Sequence, residues 1–266
     1  MCELLGLNAN VPTDICFSFS GLMQRGGRTG PHRDGWGMSL YEGRGARSFH
    51  DPRPSVASEI ADFIRRHSIR SRVIISHIRK ANRGRVCLEN THPFTRELWG
   101  RCWTFAHNGQ LKGVKRRPLT HYRPIGTTDS EYAFCWMLDR LREGFARYPA
   151  RTRLWRAVAE LAADLEGLGV FNFLMSDSHH LYAWCSTRLC WLTRRHPFGP
   201  AHSIDTGEWE DFSELTTPDD VVTIIASRPL TDNETWNDMA RGSLEVFHEG
   251  EPCLRAPVTP LPPTLA

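Results

Sequence analysis

The sequence predicts an α+β domain in which strands form two sheets and the helices keep apart from them. Three observations carry that expectation. Strand-like segments fill both ends of the chain, and two clear helical segments lie together between them. The run Val73-Ile74-Ile75 is β-branched without a polar break, as in a strand covered on both faces. Neither a linker-like stretch nor an internal repeat divides the 266 residues. One domain is therefore expected over 2–256, with a loose Pro-rich tail over 257–266 (PVTPLPPTLA).

Taken in order, strands are predicted at 3–7, 36–41, 72–78 and 102–106. The segment from Gln24 to Gly35 (QRGGRTGPHRDG) reads as a long loop. A helix is predicted over 56–67, with Val56, Ile60, Phe63 and Ile64 at helical spacing. Thr128-Asp129-Ser130-Glu131 opens a second helix reaching about Arg142, with Thr128 or Asp129 as its N-cap and Ala133, Phe134, Met137, Leu138 and Leu141 inward. A third runs from about Thr152 to Leu165, with Leu154, Val158, Leu161 and Leu165 on one stripe. Strands return at 170–175, 181–186, 189–193, 220–226 and 244–248, and Asp177-Ser178-His179-His180 reads as a hairpin loop.

Composition narrows the function. Lys+Arg 33 against Asp+Glu 30 leaves a formal charge of +3, too little for a dedicated nucleic-acid binder. No apolar run approaches the roughly 20 residues of a membrane span. The start, Met1-Cys2-Glu3-Leu4-Leu5-Gly6-Leu7, has neither the basic nor the apolar region of a secretory signal. Eight cysteines show no CxxC spacing, and Cys135 and Cys185 sit in apolar strings as free thiols do. A reducing, cytoplasmic setting is expected. The basic stretch Lys112–Arg117 reads as a solvated loop.

Cys2 carries the chemistry. Methionine aminopeptidases remove Met1 when the next side chain is small, which leaves a cysteine with a free α-amine. That amine has a pKa of about 7.7–8.0, against about 10.4 for lysine, so it can act as a base near neutral pH. Thiol and amine together form a nucleophile with its own general base. Arg79, at the end of a strand, is placed to grip a carboxylate. Asn108-Gly109 is a turn signal by default, yet an Asn side-chain amide and a Gly N–H also make an oxyanion-hole pair. Asp129 at a helix start is a cap or a partner for an ammonium group.

Together these residues resemble the class II, N-terminal-nucleophile, glutamine amidotransferases. The matching motifs are Cys2, His77-x-Arg79, Asn90-Thr91-His92-Pro93, His107-Asn108-Gly109 and Thr128-Asp129-Ser130-Glu131, in the family's order. Within the family the chain is most similar to a stand-alone bacterial subgroup, the YafJ-like proteins, through MCELLG at 1–6, Pro31-His32-Arg33-Asp34-Gly35-Trp36-Gly37 and the segment from Glu89 to Gly100. The resemblance implies a four-layer αββα sandwich of two stacked antiparallel sheets. It implies Cys2 as nucleophile, Asn108 and Gly109 as oxyanion donors, Arg79 on the substrate α-carboxylate and Asp129 on its α-ammonium. His77, His92, His107 and Asp34 are expected to support the site. No cofactor and no metal are expected: the histidines recur at intervals of 15, which has no metal-binding meaning, and they read as loop braces.

The chain departs from many synthase-linked relatives in the loop after Arg79, which carries Lys80, Asn82 and Arg83-Gly84. It also shows no P-loop, no GxGxxG unit and no second core. The expected reaction is hydrolysis of the glutamine side-chain amide through a γ-glutamyl thioester, releasing ammonia for an acceptor the sequence does not name; if nitrogen is transferred, the acceptor site is expected on another chain, a separate acceptor or synthase protein. Two alternatives stay open: hydrolysis of another γ-glutamyl amide, and a non-catalytic glutamine-binding regulator.

Overall fold

A computed structural model describes residues 2–81 and 84–257. The chain opens with β1 (Glu3–Thr13), α1 (Cys16–Arg25), β2 (Trp36–Glu42), β3 (Gly45–Asp51), α2 (Glu59–Arg66) and β4 (Ser71–Ile78). It continues through β5 (Phe94–Leu98), β6 (Arg101–Leu111), α3 (Asp129–Gly144), α4 (Arg151–Glu166), β7 (Gly169–Ser176) and β8 (Leu181–Cys185). β9 (Cys190–Arg195), β10 (Pro200–His202), β11 (Trp209–Asp211), β12 (Val221–Ala226), β13 (Asn237–Asp238), β14 (Ser243–His248) and β15 (Glu251–Pro257) complete it.

Two large antiparallel sheets result, one ordered β13-β9-β12-β1-β4-β2-β3 and the other β15-β14-β8-β7-β6-β5, and β10 and β11 pair apart as a short antiparallel ribbon. α1 and α2 cover the outer face of the first: Phe19, Leu22, Ala61 and Ile64 pack on Leu5, Trp36 and Ile74. α3 and α4 cover the outer face of the second: Phe134, Leu138, Leu154 and Val158 pack on Phe105 and Phe171. Between the sheets lie Leu4, Ile75, Ala106, Leu174, Leu181 and Ile225. The architecture is thus the αββα sandwich that the resemblance implied. Burial on both faces explains why β1 and β4 read as continuous apolar runs and not as alternating ones.

Several elements differ from the sequence reading. α1 falls where no helix was predicted. It contains Ser18, Ser20 and Gly21 and has no side-chain cap, so burial of Phe19, Leu22 and Met23 holds it rather than local propensity. The second helix begins at Glu59 behind the Ser58 cap, after a 3₁₀ turn at Ser55–Ala57. Its buried face is Ala61 and Ile64, and Ile60 and Phe63 are exposed. The strand expected at 102–106 runs on to Leu111, so Asn108-Gly109 lies inside β6 and is no turn. β3 and β5 are polar edge strands, and β15, another edge, tolerates Pro252 and Pro257; none had an apolar pattern to betray it. Of the tail expected over 257–266, only Pro257 falls within the described residues, where it closes β15.

Topology positions the site. β1 is flanked by β4 and β12, both antiparallel, with Glu3 opposite Ile78 and Leu5 opposite Ala226. The start of β1 therefore meets the ends of both neighbours. Arg79 and Lys80 leave β4 there, and Ser227 and Arg228 leave β12.

Candidate active site

Cys2 precedes β1 and is half-buried. Its main-chain nitrogen donates to Asn108 Oδ1 at 2.8 Å, and Asn108 Nδ2 donates to its carbonyl at 2.7 Å. The Lys80 N–H donates to Sγ at 3.3 Å, and Sγ lies 3.6 Å from the Lys80 carbonyl. Burial pushes the thiol pKa up, while the Lys80 N–H and the Arg79 charge oppose that rise. Lys80 acts through its peptide group, which side-chain reasoning could not find.

Asn108 and Gly109 come from β6 of the facing sheet. Asn172, paired with Asn108 across β6 and β7, donates to the Asn108 carbonyl at 3.1 Å. The Asn172 carboxamide oxygen also accepts from the N–H groups of Ser186, Thr187 and Arg188, so this buried side chain ties the loop after β8 to the site strand. At Gly109 an added Cβ would lie 1.8 Å from the Val170 carbonyl, so glycine is required by close packing.

Arg79 is buried. Its N–H donates to Gly35 O at 2.8 Å and its Nη1 to Arg85 O at 3.0 Å. Asp34 supports this turn from the side: its N–H donates to Arg79 O at 3.1 Å, and its Oδ2 accepts from Ala81 N–H at 2.7 Å. Opposite stands Asp129, the first residue of α3. Thr128 is the N-cap, accepting from Glu131 N–H. Asp129 Oδ2 accepts instead from Leu111 N–H at 2.7 Å and so joins α3 to the end of β6. Its charge sits where the helix dipole favours an anion. Asn90, missed as a wall-builder, bridges Arg85 O and Thr127 N–H.

A cavity of about 560 Å³ joins these groups, with Cys2, Arg79, His92, His107, Gly109 and Asp129 on its wall. Lys80, Lys112 and Lys115 line it as well. Asn108, His77 and Asp34 are set behind the wall: Asn108 under Cys2, Asp34 under the 79–81 turn.

The three histidines are buried and differ in their surroundings. The His77 ring lies against His92 at 4.2 Å, and His92 against Phe94 at 4.4 Å. His107 has Ser130 Oγ 2.8 Å from Nδ1 and Val170 O 3.1 Å from Nε2, so Nε2 carries the proton and the serine donates to Nδ1. Burial lowers all three pKa values, that of His77 to about 3, so the rings are neutral at neutral pH. Among the described residues no three His, Cys, Asp or Glu side chains are grouped to hold a metal ion. No described helix is long and apolar enough to cross a membrane.

Comparison with known proteins gives the family and the fold. The family described as "Glutamine amidotransferases class-II" matches residues 1–261. The chain is 56% identical over 252 residues to the Escherichia coli (strain K12) protein named "Putative glutamine amidotransferase YafJ", covering 94% of this chain and 99% of that one. A solved structure from Pseudomonas aeruginosa PA01, described as a predicted glutamine amidotransferase, shares 49% identity at a TM-score of 0.77, over 95% of this chain and all of that one. The glutamine phosphoribosylpyrophosphate amidotransferase of B. subtilis is only 12% identical but has the same fold, at a TM-score of 0.60, over 94% of this chain and 48% of its own. The chain belongs to the class II glutamine amidotransferases.

Proposed function

We propose that the protein hydrolyses the side-chain amide of glutamine with Cys2 as N-terminal nucleophile once Met1 has been removed. The nitrogen that donates to Asn108 Oδ1 is then the α-amine, with its lone pair free to take the thiol proton. The thiolate attacks the amide carbon. The amine next protonates the leaving ammonia, and water releases glutamate from the γ-glutamyl thioester. Asn108 Nδ2 donates its second proton to Ser227 Oγ at a long 3.4 Å, and this proton, turned toward the cavity in the reaction, joins the Gly109 N–H as a donor for the oxyanion. Arg79 takes the α-carboxylate and Asp129 the α-ammonium.

The observation that carries this reading is the enclosure of Cys2: its main chain is bracketed by Asn108, and its cavity holds Arg79 and Asp129, one charge of each sign. A purified, Met1-free enzyme should release glutamate and ammonia from glutamine, and Cys2→Ala should abolish this. Absence of glutamate release by wild-type enzyme on glutamine and on other γ-glutamyl amides would leave a non-catalytic binder as the reading.

The cavity wall also favours a second substrate. Lys80, Lys112 and Lys115 add positive charge beyond what a zwitterionic glutamine needs, and about 560 Å³ falls within the range that accommodates drug-sized ligands. A γ-glutamyl amide with a further carboxylate fits that excess. Assaying γ-glutamyl-glycine beside glutamine, with rising salt, separates the two.

A further inference from the structure

Behind Cys2, on the side away from the cavity, the next residue carries a charge that the reaction does not use. The Glu3 side chain is only 5% exposed. Its Oε2 accepts from Arg25 Nη1 at 3.2 Å, and its Oε1 accepts from Arg228 Nε at 3.1 Å and Nη2 at 2.7 Å. Arg25, itself buried, also donates to Asp205 Oδ2 at 2.7 Å and to the carbonyls of Arg228 and Pro229 at 3.4 and 2.6 Å. His32 Nε2 lies 3.8 Å from Glu3 Oε1. Beside this cluster Ser227 fixes Leu4, its Oγ accepting from Leu4 N–H at 2.9 Å and its N–H donating to Leu4 O at 3.1 Å. The start of β1 is thus gripped by the end of α1 and by the segment that leaves β12.

We propose that Arg228, working with Arg25 through the Glu3 carboxylate, is a positioning residue that holds Cys2 in its reactive place and neutralises the charge next to it. The inference rests on the glutaminase reading for its rate but not for its geometry. A buried carboxylate stripped of one partner is costly and pulls in water or moves. Either response shifts the adjoining Cys2 relative to Asn108 and Lys80. An uncompensated negative charge also favours the ammonium form of the α-amine and the neutral thiol. The charged and titratable groups around Cys2 are Glu3 on its own strand, Arg79 and Lys80 after β4, Arg25 on α1, Asp34 and His32 after α1, Lys112 after β6, Lys115 beyond it, Asp129 at the start of α3, Asp205 after β10 and Arg228 after β12. His77 and His107 nearby are neutral.

Arg228 is the member to change, because its side chain is 46% exposed whereas Arg25 is enclosed. Two assays on the Met1-free enzyme should be run against pH: glutamate release, and alkylation of Cys2 by iodoacetamide read on the N-terminal peptide. Arg228→Met should lower kcat on the order of 10²-fold, as small misplacements do, with KM nearly unchanged. It should also move the pH midpoint of both assays upward by about one unit. Arg228→Lys should restore the midpoint but not the full kcat, since an ammonium cannot reproduce the guanidinium fork. The double variant Glu3→Gln with Arg228→Met should bring the midpoint back, because no unpaired charge remains. A wild-type kcat and midpoint in Arg228→Met overturn the proposal, as does a midpoint left displaced in the double variant. If wild-type enzyme releases no glutamate but the alkylation midpoint moves as described, the positioning role stands and the glutaminase reading fails.

Discussion

Asn108 brackets Cys2: one carboxamide takes the Cys2 nitrogen on its oxygen at 2.8 Å and gives a proton to the Cys2 carbonyl at 2.7 Å. The two residues are 106 positions apart, Cys2 just before β1 and Asn108 within β6 of the facing sheet. The pairing fixes which end of the carboxamide is oxygen, since the Cys2 carbonyl can only accept. It also orients the main chain of Cys2 without touching the thiol.

The proposed mechanism makes activity depend on Met1 removal. Enzyme with a bulky residue inserted after Met1, which blocks trimming, should show no glutaminase activity while keeping its fold. Intact mass together with an ammonia-release assay checks this, and full activity from an extended or acylated chain sinks the N-terminal-nucleophile mechanism.

Loss of the bracket should be expressed in turnover. Asn108→Ala removes the hold on Cys2 and, in the proposed mechanism, one oxyanion donor, and kcat should fall about 10²–10³-fold with KM little changed. A raised KM with unchanged kcat means that Asn108 serves binding alone.

Arg79 and Asp129 predict strict recognition of the glutamyl α-groups. The α-amide and the N-acetyl form of glutamine should each react far more slowly, on the order of 10⁴-fold, because each leaves a charged partner in the cavity wall, the buried Arg79 or the half-buried Asp129, unmatched. Changes on the amine side of the scissile amide should matter less. Equal rates for N-acetylglutamine and glutamine remove the role given to Asp129.

The buried histidines predict acid sensitivity. His77, His92 and His107 have folded-state pKa values below the ordinary 6.5, so between those values and pH 6.5 the unfolded chain binds protons that the native one refuses. Their contribution is present above pH 6.5 and is lost as pH falls below it, at up to about 1.4 kcal/mol per pH unit for each histidine. Urea unfolding from pH 7 to pH 5 should show this slope. His77→Phe should flatten it by one histidine's share, and an unaltered slope means that His77 is protonated in the native state.

How much of this was legible depends on which groups carry it. α3 and α4 were found within a residue or two because their apolar positions recur at helical spacing over four turns. α1 was missed because its residues favour no helix by themselves, and the edge strands because a half-exposed polar strand has no pattern to read. Asn108-Gly109 illustrates the limit in one place. Local chemistry reads the pair as a turn, yet the pairing of β6 with β7 makes it part of a strand.

The sequence by itself determined the family, and it singled out Cys2, Arg79, Asn108, Gly109 and Asp129 as candidates for the site, because they stand in motifs whose order and side-chain chemistry survive without coordinates. Only the tertiary structure decided what holds them. The Lys80 peptide on the thiol, Asn172 on the Asn108 carbonyl, and Arg25 and Arg228 on Glu3 are contacts across 22 to 225 positions of chain. Every residue carries a peptide N–H and carbonyl, and arginines are common, so neither marks its partner in the sequence. The partner is chosen by strand order: β1 between β4 and β12, and β6 on the facing sheet, bring four distant stretches to one end of the sandwich.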